Sequence, residues 1–95
     1  MRKWIIEDWE FEITVINGRS QDCRLGFETN DKFVCQYEVP SDFCPKTISI
    51  LYTLCEIIRC GGTFKAKGSK KDYEIDFPCA DGCIIFHLTA KPINR

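Results

Sequence analysis

Three things are scarce in this sequence: an excess of either charge, long apolar runs, and histidine. Thirteen lysines and arginines against fourteen aspartates and glutamates leave a formal net charge of −1. Such a balance supplies no surface for a phosphate backbone, so nucleic acid is not an expected partner. The basic run "KAKGSKK" (65–71) is the local exception, and it reads as a solvated hairpin tip. No apolar run approaches the roughly 20 residues that a membrane span needs, so no membrane partner is expected. The stretch "MRKWIIEDWE" turns acidic after two isoleucines, unlike a signal peptide, and a cytoplasmic chain is expected. With one histidine, any Cys–His dyad would have to use His87. No glycine-rich loop opens a helix, since "GG" at 61–62 follows one, and no serine triad is evident. Internal repeats and low-complexity segments are missing as well.

Cysteine is what the chain has in quantity. Seven in 95 residues is high for a cytosolic protein, yet below the roughly 8–10% that marks a disulfide scaffold. An odd number cannot all pair within one chain, and without an export signal reduced thiols are the default. Free cysteine is also a good small core residue, so position has to separate packing from chemistry.

Residues 1–95 make a single domain, just large enough for one core. From Trp9 the pattern alternates, with Phe11, Ile13 and Val15 on one face and Glu10, Glu12 and Thr14 on the other, until the turn signal Asn17-Gly18. A second alternation sets Phe33, Cys35, Tyr37 and Val39 on one face and is closed by Pro40. A helix is expected next, with Ser41 or Asp42 as N-cap, Pro45 in the first turn, and an exit at Cys60 into Gly61. Lys46, Ser49, Thr53 and Glu56 draw a narrow polar stripe on it. The rest is apolar, so the helix needs cover over more than half its circumference. "TFKAK" is a short candidate strand. "DYEIDFPC" alternates with Tyr73, Ile75, Phe77 and Cys79 inward, and "ADG" turns the chain into a last strand, "CIIFHLTA". The expected fold is α+β, one central helix on a small, mostly antiparallel sheet in the order β-β-α-β-β-β.

Cys35 is in phase with the inward face of its strand, and Cys55 lies on the buried side of the helix; both read as core cysteines. Cys60 at the helix end reads as structural. Cys44, placed in the first helical turn, would meet unsatisfied N–H groups and the positive end of the helix dipole, which lower a thiol pKa. Cys79 and Cys83 flank the three-residue turn of "CADGC", where cross-strand neighbours have Cβ atoms roughly 5 Å apart. Cys44 and Cys60, roughly 24 Å apart along one helix, cannot share a metal. His87 is roughly 13 Å from Cys83 along a strand and cannot join it at one ion. Both Cys83 and His87 remain weaker candidates. The set that can converge is Cys23 from a loop, Cys44 from the helix start and Cys79 from the hairpin. Three thiolates with an open fourth position would suit zinc or iron, and Asp81 could complete the set.

The segments "DFCPKTISILYTLCEIIRCGGTF" and "CADGCIIFHL" resemble a family of small, uncharacterised prokaryotic proteins of about this length, often from anaerobes and sometimes in tandem copies. Its members share a "GFCPWA" helix start, a "GG-F" helix exit and a "C-P-D-G" turn before a "VVFEI" strand. An upstream cysteine precedes a "GD-F" element, which is "NDKF" (30–33) here. The resemblance covers about Ile13 to Leu88. It carries the family's cysteines onto Cys23, Cys44 and Cys79. Lys46-Thr47 stands in place of its Trp-Ala, Asn30 in place of a glycine, and Ala80 in place of a proline. No activity comes with the family, so the resemblance implies a site and no reaction.

Two functional expectations follow. One is a thiol-based site at Cys23, Cys44 and Cys79 for metal binding or redox chemistry, with Cys44 alone as the nucleophile of a thiol enzyme as a variant. The other is a non-catalytic assembly module, a homo-oligomer formed through the over-apolar helix and the Trp4/Trp9 region.

Overall fold

Alternation from Trp9 onward does make the first strand, β1 (Trp9–Gly18), with Phe11, Ile13 and Val15 buried and Glu10, Glu12 and Thr14 half-buried on the opposite face. The structure is a computed structural model that describes residues 9–18, 21, 23, 25–36, 40 and 42–93. Trp4, Tyr37, Val39 and Ser41 lie outside the described residues. After β1 come β2 (Lys32–Cys35), α1 (Ile48–Arg59), a one-turn 3₁₀ helix (Phe64–Lys67), β3 (Glu74–Pro78) and β4 (Ile84–Pro92). The strands form one antiparallel sheet in the order β2-β1-β4-β3. The fold is α+β, as expected.

β2 and β3 are the two edges of that sheet, so the chain between them has to cross its width, and α1 makes the crossing. Leu51, Leu54, Cys55 and Ile58 of α1 are buried in one core with the inner face of the sheet. Ile48, Ile50 and Ile57 are half-buried and Tyr52 is 48% exposed, so the covered arc of α1 is narrower than its apolar arc. Arg59 closes one end of the core: its guanidinium stands 5.0 Å from the centre of the Phe11 ring and binds Glu56 and the Gln36 carbonyl. The outer face of the sheet is polar. Glu12 pairs there with Lys91 at 3.0 Å and with Lys32 at 3.6 Å.

Three local expectations are corrected. The helix does not start at Ser41 or Asp42. Asp42 takes a left-handed φ of 63°, which a helix entry cannot use. A turn closed from the Thr47 N–H to the Cys44 carbonyl follows, and Thr47 is the N-cap. "TFKAK" is no strand. Phe64 is buried, its N–H donates to the Asp72 carbonyl, and the Gly68 N–H returns to Lys65, which winds the segment into a 3₁₀ turn. The sheet therefore has four strands among the described residues, not five. The hairpin loop is also one residue longer than read: the Cys79 N–H donates to Ile84, and the Gly82 N–H to the Cys79 carbonyl. Ile84, not Cys83, closes the hairpin across from Cys79.

The helix exit behaves as expected. Gly61 has φ 88°, and the N–H groups of Gly61 and Gly62 return to Ile58 and Ile57, satisfying the last carbonyls. Asn30 has φ 78°, a conformation asparagine tolerates better than other side chains.

Candidate functional site: a four-thiol pocket

Three segments meet at one end of the sheet, each held by its own anchor. The loop carrying Cys23 is pinned by Phe27, buried with its ring 5.1 Å from Phe33 and 6.2 Å from Phe86. The turn carrying Cys44 is pinned by the buried Phe43, whose ring is 5.1 Å from Phe33 and 5.2 Å from Phe86. The hairpin loop "CADGC" rests on β1, where Gly18 lies under Cys83 and Ile84. A Cβ on Gly18 would come within 2.7 Å of the Cys83 carbonyl oxygen, so only glycine leaves room for that approach.

The second and third segments are bonded directly. Thr47 is fully buried, and its Oγ1 accepts a hydrogen bond from the Ala80 N–H at 3.2 Å. This explains why the N-cap hydroxyl does not cap its own helix. At the rim, Lys46 Nζ lies 3.2 Å from Asp81 Oδ1. Both ends of that pair are about half exposed, so it orients the rim without adding much stability.

Between these segments lies a pocket of about 170 Å³ lined by Cys23, Cys44, Cys79 and Cys83, with Lys46 and Asp81 at its edge and Phe27 and Phe86 among its apolar walls. Every cysteine singled out from the sequence for chemistry is therefore on one wall system. Cys23 and Cys44 are half-buried, whereas Cys79 and Cys83 are each 7% exposed. The Cys79 and Cys83 sulfurs are 3.7 Å apart.

That pair is electrostatically uneven. Burial pushes the Cys79 thiol up. The backbone N–H groups of Ile84, Cys83 and Asp81 and the Cys83 thiol outweigh it, holding Cys79 below the ordinary thiol value. Cys83 goes the other way. Burial, the hydrogen bond to Cys79, and the charges of Cys79 and then Cys23 raise it. The first proton leaves Cys79, and Cys83 keeps its own to donate.

The remaining candidates fall elsewhere. Cys44 stands three residues before the N-cap, outside the first turn in which a helix terminus acts. Asp81 is the salt-bridge partner of Lys46. His87 is on the outer face of the sheet, away from the thiols, with Nδ1 2.6 Å from Asp76 and Nε2 2.9 Å from Glu74. Cys35 and Cys55 are core residues, as expected, and Cys60 is exposed at the end of α1. Among the described residues, no three His, Cys, Asp or Glu side chains already stand together at ion-holding positions. Sequence reasoning missed Thr47 and Gly18, which fix the hairpin loop. Neither carries a local signal, because their partners are 33 and 65 or more residues away.

In comparisons with known proteins, no family model, no curated protein and no solved structure matches this chain.

Proposed function

We propose that the protein is a thiol–disulfide exchange module whose working couple is Cys79 and Cys83. The observation that carries this reading is the 3.7 Å separation of the two sulfurs on the wall of a pocket shared with two further cysteines. Closing that gap to a disulfide, roughly 2.05 Å, asks for small rotations of two side chains in a loop.

The reaction is a two-electron exchange with a partner disulfide, R–S–S–R. The Cys79 thiolate attacks one partner sulfur, the partner S–S bond breaks, and the departing thiolate takes up a proton. Cys83 then loses its proton and attacks the Cys79 sulfur, releasing the second R–SH. The chain loses two hydrogens and two electrons, and the partner gains both. Cys79 is suited to the first step and Cys83 to the second by the unequal hold each has on its proton. Cys23 and Cys44, on the more open side, are where a partner sulfur would first arrive. A reducing, cytoplasmic location fits seven free thiols. Among the described residues no helix is long and apolar enough to cross a membrane.

Reduced protein incubated with glutathione disulfide should yield a Cys79–Cys83 crosslink by peptide mapping. Cys83→Ser should stop at a mixed disulfide on Cys79, and Cys79→Ser should form it at least about tenfold more slowly. A folded protein that leaves Cys79 and Cys83 unlinked under these conditions would overturn the proposal.

Assembly through α1 is the second reading, favoured by the half-buried Ile50 and Ile57, two turns apart on one face of the helix. Sedimentation at micromolar concentration tests it, and a monomer counts against it.

A further inference from the structure

The spacing of the Cys79 and Cys83 sulfurs fits a second chemistry as well. Two thiolates bound at roughly 2.3 Å to one tetrahedral ion stand about 3.8 Å from each other. Cys79 and Cys83 stand 3.7 Å apart. The reduced pair is thus already at the edge length of a tetrahedral thiolate site, well beyond the length of a covalent S–S bond.

We propose that the reduced pocket captures a thiophilic divalent cation of the zinc class, with Cys79 and Cys83 as its preformed edge and Cys23 and Cys44 as the ligands that close on it. The edge is fixed because its loop is fixed. Gly82 turns at φ 76°, the Ala80 N–H is bound to Thr47, and Cys79 and Ile84 close the hairpin. The closing ligands sit on the two segments that reach the pocket from outside the sheet, and both are half-buried on its wall. Apart from Lys46 and Asp81, which pair with each other at the edge, the remaining walls are apolar: Leu25, Phe27, Pro45, Ile84 and Phe86. A soft all-sulfur site of this kind selects zinc, cadmium or cobalt over magnesium or calcium.

This inference rests on the thiol pocket described above, and it adds a regulation to the exchange reaction. A cation held by Cys79 and Cys83 protects both from oxidation, and a Cys79–Cys83 disulfide removes both ligands. Loading and disulfide formation are therefore mutually exclusive states of one pair.

The test is an anaerobic titration of the reduced, full chain with Co²⁺, with circular dichroism on the same samples to confirm that the fold persists. Tetrahedral d–d bands are expected, with sulfur-to-cobalt charge-transfer intensity equal to three or four thiolates. Zn²⁺ should displace the cobalt at one equivalent. Outer-shell changes at thiolate and imidazole sites already cost 10–100-fold in affinity, so Cys83→Ser should cost at least about 100-fold. Cys23→Ser and Cys44→Ser should each remove one thiolate from the charge-transfer intensity, and Cys60→Ser should change nothing. Octahedral spectra, or an intensity of two thiolates or fewer in the folded wild type, would overturn the inference. A protein that forms the Cys79–Cys83 disulfide yet gives no thiolate-rich cobalt spectrum loses the cation site and keeps the exchange function. Cobalt binding without disulfide formation has the opposite consequence.

Discussion

At the scale of single residues, burial does not dictate what an ionisable side chain becomes. Cys55 and Cys79 are 2% and 7% exposed, yet they diverge. Cys55 is pushed up to about 12, first by burial and then by the nearby Cys35, which makes it an inert packing thiol. Cys79 is as little exposed but less deeply packed, and the amides of its own hairpin loop outweigh its burial. His87 shows the same competition with the sign reversed. Burial alone would lower its pKa, but the Asp76 and Glu74 carboxylates outweigh it and hold it above the ordinary 6.5. The hydrogen bond to His87 in turn keeps Glu74 below 4.5. A histidine whose folded pKa is raised contributes its full stabilisation below about 6.5 and loses it as pH rises through the folded value. Glu74 contributes above its unfolded pKa and fails only in acid. The clamp should therefore hold in mildly acidic solution and loosen on the alkaline side. Thermal unfolding checks this: between pH about 6 and about 9 the wild type should lose a few degrees more than His87→Asn. Identical slopes for the two proteins would show that the clamp contributes nothing.

At the scale of elements, what the sequence made legible was what neighbours along the chain decide. β1 follows its alternation, β3 follows its own from Ile75 on with Tyr73 left 42% exposed ahead of it, and the exit of α1 follows Gly61, because each depends on side chains or dihedrals within a few residues. The entry of α1 does not. Its N-cap hydroxyl is taken by the Ala80 N–H, 33 residues away. The segment before it is bent by the left-handed Asp42. Likewise, Phe64 is drawn into the core and its N–H is used by Asp72, which overrides the strand alternation of "TFKAK". The convergence of the cysteines was legible as a possibility of element ends, and so was the closeness of Cys79 and Cys83. That they meet with Cys83 inside the hairpin loop, and not across its mouth, was not legible, because the loop is one residue longer than its turn signal suggests. Thr47 is thus the joint between helix and hairpin. Thr47→Val keeps the shape and orphans the Ala80 N–H, which should cost about 1–3 kcal/mol in denaturant unfolding with the slope unchanged. Thr47→Ser should retain most of that, and Lys46→Ala at the exposed rim should cost less than about 1 kcal/mol. Wild-type stability in Thr47→Val would remove Thr47 from this role.

At the scale of the whole molecule, the seven free thiols divide by place: two in the core, four around one pocket, and Cys60 alone on the surface at the end of α1. That distribution predicts two oxidation products with different orders. Cys79 and Cys83 are held together within one chain, so their crosslinking should be independent of protein concentration. Cys60 has no partner in its own pocket or core and is open to solvent, so it can pair only with a second chain. Its product is a covalent dimer whose yield rises with concentration. In the pocket, Cys79 and Cys83 are buried side by side, so they should crosslink within the chain before a second chain's Cys60 reaches them. Mild oxidation followed by non-reducing electrophoresis and peptide mapping separates the two. Cys60→Ser should abolish the covalent dimer and leave the intrachain Cys79–Cys83 crosslink intact. If the dimer persists in Cys60→Ser, the pocket is open to another chain's thiol, and the half-buried Cys23 and Cys44 become the residues to substitute next.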